Sequence, residues 1–161
     1  MIVIVMGPTG AGKTTIGALL ASQLNWQFTD GDSFHPPANI AKMSRGVPLD
    51  DNDRRPWLEA IHSAMLHWIA AGQNVVLACS ALKRSYREML CAGPDVKLVY
   101  LKGSYDLLRQ RIVERHGHFA GQQILAGQFA DLKEPANAIT LDAARSPQEI
   151  VAEIRKHLAS A

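Results

Sequence analysis

Between an apolar run at residues 2–6 and a helically spaced segment from residue 13, the chain reads Gly7-Pro8-Thr9-Gly10-Ala11-Gly12-Lys13-Thr14. This fits G-x-x-x-x-G-K-[ST], in the strand–turn–helix context that the pattern needs. The glycines permit a loop whose backbone N–H groups converge on phosphate oxygens, and the helix N-terminus adds partial positive charge. Lys13 can then reach the β- and γ-phosphates, and Thr14 can place its hydroxyl on Mg²⁺. Gly7, Pro8, Thr9, Gly10, Ala11, Gly12 and Thr15 complete the candidate nucleotide cradle. The motif implies a nucleoside triphosphate without saying what is done with it.

The rest of the chain alternates strand and helix patterns. Ile2–Met6 is a continuous β-branched apolar run, as expected of a strand buried on both faces. A helix is predicted over Lys13–Leu24, a short strand at Trp26–Thr29 and a helix near Ala38–Arg45. Asp53 reads as the N-cap of a longer helix to about Ala71, with Gly72 past its end. Strands are predicted at Asn74–Cys79, Val96–Leu101 and Ala138–Leu141. Helices are predicted at about Leu82–Cys91, Tyr105–Arg115 and Gln122–Leu132, with Gly117–Gly121 as an interruption. Pro147 opens the last helix, to about Leu158. The expectation is one α/β domain over residues 1–161, a three-layer α/β/α P-loop NTPase with a parallel sheet. Trp57 and Trp68 read as helix core.

Lys+Arg exceeds Asp+Glu by only 17 to 15, which gives no argument for a nucleic-acid or membrane partner. The two cysteines do not form a disulfide or metal pattern, and Cys79 in its apolar run reads as a buried thiol. No apolar stretch approaches the ~18 residues of a membrane span, and the N-terminal apolar patch has no charged leader. We expect a soluble cytoplasmic protein.

A guanine-reading N-K-x-D segment is absent, and motor or transporter ATPases are usually longer. A chain of 161 residues with one nucleotide site and a polar insertion after its second strand suggests a small-molecule kinase with a lid. Asp30-Gly31-Asp32 should place carboxylates in the crevice at the strand ends. There Asp32 is read as the base that takes the proton of the attacking hydroxyl, and Asp30 as metal-linked through Mg²⁺. An Asx turn would use the same residues. His35 can hydrogen-bond an acceptor. Arg54, Lys83 and Arg87 supply cations suited to a small anionic acceptor. Arg111 and Arg115, before a glycine-flanked segment that includes His118, suit a lid delivering positive charge to the transferring phosphoryl group.

The segments GPTGAGKTT, DGDSFHPPANIAKMSRGVPLDDNDRRPWL, CSALKRSYREML and HFAGQQILAGQFADLKEP resemble the gluconate kinase (gluconokinase) family of P-loop sugar-acid kinases. With the intervening strands they span nearly the whole chain, and the second is more specific than the P-loop. The resemblance implies ATP-dependent phosphorylation of D-gluconate at its 6-hydroxyl, giving 6-phosphogluconate, with Mg²⁺. It also implies a nucleoside-monophosphate-kinase-like fold, a cytoplasmic location and a homodimer. By motif position, Lys13 and Thr14 serve the phosphates and metal. Asp32, His35, Arg54, Lys83 and Arg87 serve the acceptor. Arg111, Arg115, His118 and Gln122 belong to a lid at about residues 111–128. Gln123 stands where a methionine is common and Gly127 where a serine is. A Walker-B aspartate is missing after the apolar strand, which shifts metal work to Thr14 and the Asp30–Asp32 segment. The residues alone leave other acceptors open, shikimate-like or nucleotide, as well as a regulatory ATP-binding module without turnover. Shikimate kinases usually carry Gly-Gly-Gly after the third strand, where this chain has Cys79-Ser80-Ala81.

Overall fold

A computed structural model describes residues 1–91, 93–116 and 119–160. The elements are β1 (Ile2–Met6), α1 (Lys13–Leu24), β2 (Gln27–Asp30), a 3-10 turn (Gly31–Phe34), α2 (Pro37–Ser44) and α3 (Asp51–Ala70). Then come β3 (Val75–Ala78), α4 (Arg84–Leu90), β4 (Val96–Lys102), α5 (Tyr105–His116), α6 (Phe119–Asp131), β5 (Ile139–Asp142) and α7 (Pro147–Ala159). Among the described residues the five strands form one sheet in the order β2-β3-β1-β4-β5, every pairing parallel.

Alternation along the strands divides the core. Val3, Val5, Val76, Val99 and Leu101 face one side, against Ile16 and Leu20 of α1, Leu108 and Ile112 of α5, Leu125 of α6 and Ile150 of α7. Ile2, Ile4, Met6, Val75 and Leu77 face the other, against Trp57, Ile61 and Met65 of α3 and Leu90 of α4. Strands buried on both faces read as unbroken apolar runs, and this made β1 and β3 visible in the sequence.

Of the boundaries that differ from expectation, two have a clear physical cause. Asp53 is not the cap of α3. The cap is Asp50, whose Oδ1 accepts from the Asp53 N–H at 2.7 Å, while Asp53 Oδ2 accepts from the Asp50 N–H at 3.0 Å. This reciprocal pair satisfies two end donors at once and starts the helix earlier. The interruption expected to run to Gly121 also ends sooner, because α6 begins at Phe119 and Gly121 lies inside it. A Cβ on Gly121 would come within 2.7 Å of Ile112 Cγ2, so the glycine serves close packing of α6 on α5.

Because the strands are parallel, their C-terminal ends meet at one edge. The P-loop follows β1, Asp30 ends β2 with Asp32 in the turn after it, and Cys79-Ser80 follows β3. Gly31 crosses the end of β3 so closely that a Cβ there would lie 2.7 Å from the Ala78 carbonyl oxygen.

Candidate active site

The P-loop turns on glycines at positive φ, 85° at Gly10 and 99° at Gly12, values that side-chain-bearing residues rarely adopt. Gly12 delivers the chain directly into α1. Lys13 curls back, its Nζ donating to the Pro8 carbonyl at 3.1 Å. Burial pulls the lysine's pKa down, while nearby Asp32 and Asp30 oppose that shift. The ammonium therefore sits in a poorly solvated position, where its charge acts strongly on a phosphate.

Asp30 has two engagements. Its Oδ1 accepts the Asp32 N–H at 3.0 Å, capping the 3-10 turn, and its Oδ2 accepts from the Thr14 hydroxyl at 3.3 Å. The turn-capping and metal-linked readings of Asp30 thus coexist in one geometry. Asp32 is free of such ties, with its side chain 76% exposed.

Asp32 opens onto a cavity of about 250 Å³ that also meets Thr9, Lys13, His35, Arg54 and Gln128. His35 is buried and stacked on Trp57, ring centroids 4.4 Å apart and planes 10° from parallel. Trp57 is core, as expected, and its indole N–H also donates to the Gly31 carbonyl at 2.8 Å. That bond ties α3 to the segment carrying Asp32.

Arg54 Nη1 donates to the Tyr86 hydroxyl and to Asp131 Oδ2, both at 3.0 Å. The Tyr86 hydroxyl in turn donates to Asp51 Oδ1, which also accepts from Lys83 Nζ at 2.8 Å. Lys83 lies 3.9 Å from Asp131 Oδ1. Hydrogen bonds and charge from Tyr86 and Asp131 outweigh burial and raise the Arg54 pKa. Lys83 is likewise raised, chiefly by its bond to Asp51. Arg54 lines the cavity, Lys83 stands behind it outside the lining, and the network joins α3, α4 and the end of α6.

Arg87 is placed differently from the sequence expectation. Its guanidinium donates to the carbonyls of Ala81 and Leu82 at 2.9 and 2.8 Å and of Lys133 at 2.6 Å. Desolvation lowers its pKa. Four-residue spacing from Lys83 predicted a shared helical face, but Lys83 is the N-cap of α4 and Arg87 turns into the protein. Arg87 holds the β3–α4 loop against the chain after α6 and does not line the acceptor cavity. Arg87→Met accordingly lowers stability by at least about 1.5–3 kcal/mol, the range for a single hydrogen bond to a charged group, with little change in acceptor KM. Urea denaturation and steady-state kinetics check the two parts.

Arg111 and Arg115 line a second recess of about 160 Å³, beside Gly10, Gly12, Thr15 and Arg145. Arg111 donates to the Gly10 carbonyl at 3.1 Å and to the Ala143 carbonyl at 2.6 Å. Both arginines thus stand beside the P-loop, in a recess separate from the cavity that Asp32 opens onto. Gln122 is half-buried and lies outside the acceptor cavity's lining, and His118 falls outside the described residues.

Sequence reasoning missed three residues of this cavity: Tyr86, Gln128 and Asp131. Gln128 Oε1 accepts from the P-loop Thr9 N–H at 2.6 Å. Ile124, Gly127, Gln128 and Asp131 all line the cavity, and their spacing is that of one helical face. That periodicity in α6 was the available signal.

The shikimate kinase family model matches residues 9–159 of this chain. A gluconokinase from Gluconobacter oxydans is 42% identical over 96% of this chain and 89% of its own length. The thermoresistant gluconokinase of Escherichia coli is 42% identical over 83% of this chain and 77% of its own length. The crystal structure of a gluconokinase from Sinorhizobium meliloti superposes with a TM-score of 0.87 at 40% identity, covering 98% of this chain and 91% of that one. Shikimate kinase from Aquifex aeolicus, at 15% identity and a TM-score of 0.61 over 99% of this chain and 97% of its own, shares the fold.

Proposed function

The chain belongs to the gluconokinase family of P-loop kinases, and from that premise we infer that it phosphorylates D-gluconate with ATP, transferring the γ-phosphoryl group to the 6-hydroxyl to give 6-phospho-D-gluconate and ADP. The carrying observation is the cavity that sets Asp32, His35 and Arg54 beside Lys13, in a chain 42% identical to a gluconokinase over 96% of its length. The shikimate kinase structure, at 15% identity, shares the fold alone and does not set the acceptor.

The γ-phosphoryl group meets the P-loop amides and Lys13, which draw charge from the oxygens as transfer proceeds. Asp32 accepts the proton of the 6-hydroxyl as the new P–O bond forms and the bond to the ADP oxygen breaks. His35 and Arg54 fix the polyol and its carboxylate, with Lys83 adding charge behind Arg54. Arg111 and Arg115 offset the nucleotide's charge from the opposite flank.

Mg²⁺ suits the residues present. Thr14 and Asp30 would hold it, and no cluster of three or more His, Cys, Asp or Glu occurs among the described residues. Such a cation takes most of its ligands from phosphates and water. When bound it supplies charge neutralisation between the phosphates.

The lid belongs to the same proposal, at about residues 111–128. The end of α6 touches the P-loop through Gln128 and the acceptor helix through Asp131. ATP plus gluconate is expected to protect this segment from proteolysis more than ATP alone. Equal cleavage in all states would refute a gating lid. Among the described residues no helix is long and apolar enough to cross a membrane. The cytoplasmic location and the homodimer are carried in the proposal on the resemblance.

A coupled ADP-release assay with Mg-ATP against gluconate, shikimate, AMP and no acceptor tests the reading. Release with gluconate alone is expected. Release with shikimate or AMP instead would overturn the acceptor assignment. Release with none, in protein that still binds ATP, would point to an acceptor outside this panel or to a regulatory module.

A further inference from the structure

His35, just before α2, and Asn39, in its first turn, are both buried, at 8% and 2% exposure. The Asn39 Nδ2 donates to the Asp53 carbonyl at 2.8 Å and sits 3.1 Å from His35 Nδ1. The Asp53 carbonyl can only accept, so it fixes which end of the amide points inward. The amide's two hydrogens then serve Asp53 and His35, and His35 Nδ1 must be the acceptor. Stacking on Trp57 prevents the ring from turning away. Its other nitrogen, Nε2, faces Asp32 Oδ1 at 3.8 Å at the cavity wall. Asp32 and Arg54 are the charged groups acting on the ring. Burial and Arg54 hold it toward the neutral form, against Asp32.

We propose that Asn39 is a positioning residue, fixing His35 as the tautomer protonated on Nε2, so that the buried ring presents one hydrogen-bond donor to an oxygen of the acceptor. The identity of that acceptor as gluconate rests on the function inferred above; the tautomer does not. An unconstrained imidazole interchanges its two neutral forms, and only one offers a donor to the cavity. The Asn39 amide removes the other, because a proton on Nδ1 would meet an N–H.

Imidazole ¹⁵N spectra of the full chain at neutral pH, without substrate, read this directly. The expected His35 signals are a protonated Nε2 and a bare Nδ1. A proton on Nδ1, alone or in an imidazolium, would overturn the proposal, and this result needs no variant to fold. Asn39→Asp places an acceptor against Nδ1 and draws a proton there. Assayed above the ring's titration, where Nε2 is then bare, it should raise the gluconate KM about tenfold for the lost donor, leaving the ATP KM unchanged. Unchanged His35 signals or an unchanged gluconate KM in a folded variant would refute the assignment. Absence of gluconate-dependent ADP release, with the Nε2–H signals intact, would overturn the proposed function and leave the tautomer standing.

Discussion

Asp32→Asn lowers gluconate-dependent turnover by about 10²–10⁴-fold, the usual contribution of a positioned general base. Asparagine keeps the shape of the side chain and one acceptor oxygen, but it replaces the other oxygen by an NH2 donor and cannot take up the proton of the attacking hydroxyl. Asp32 is 76% exposed at its side chain, so packing is undisturbed and the denaturation midpoint should hold. Asp30 is the less suitable base, because one of its oxygens caps the turn and the other accepts from Thr14. Steady-state ADP release on the purified variant decides the matter. Wild-type turnover in a folded Asp32→Asn protein would move the base elsewhere.

Lys13→Ala is the second large effect. Removing one preorganised charge from a transferring phosphoryl group lowers kcat by about 10²–10³-fold, by analogy with loss of a single oxyanion donor. The change also deletes the Nζ bond to the Pro8 carbonyl, which braces the loop against itself. The ATP KM should therefore rise together with the fall in kcat, while the gluconate KM moves little. Measuring both KM values with thermal stability separates lost chemistry from a collapsed loop. Undiminished turnover would refute the role given to Lys13.

The fold was legible wherever local pattern and tertiary environment agree. The run Ile2–Met6 and the glycines after it dictate a buried strand and a phosphate-binding turn, and α1 occupies the predicted Lys13–Leu24. Legibility failed where two residues competed for one role, as Asp50 and Asp53 did for the start of α3. It failed again where a glycine's purpose lay in its neighbour, as with Gly121 against Ile112. The site divides in the same way. Lys13, Asp32 and His35 were readable because motif and strand ends place them together. Arg87 was misplaced, because spacing says which residues share a face but not which carbonyls a guanidinium will find. Asp131 was invisible as a partner of Arg54 because 77 residues separate them. Only the docking of α6 brings them within reach.

The sheet is also a partition between two ledgers of damage. Helices α1, α5 and α7 pack on one face, and α3 and α4 pack on the other; the proposed function puts the nucleotide on the first flank and the acceptor on the second. Under that assignment, a void opened beneath α5 is expected to weaken ATP binding first, and one beneath α3 gluconate binding first. The α6 segment straddles that partition, with Leu125 in the first core and Leu132, just past its end, against the second. Substitutions there are the ones whose effects reach both substrates together.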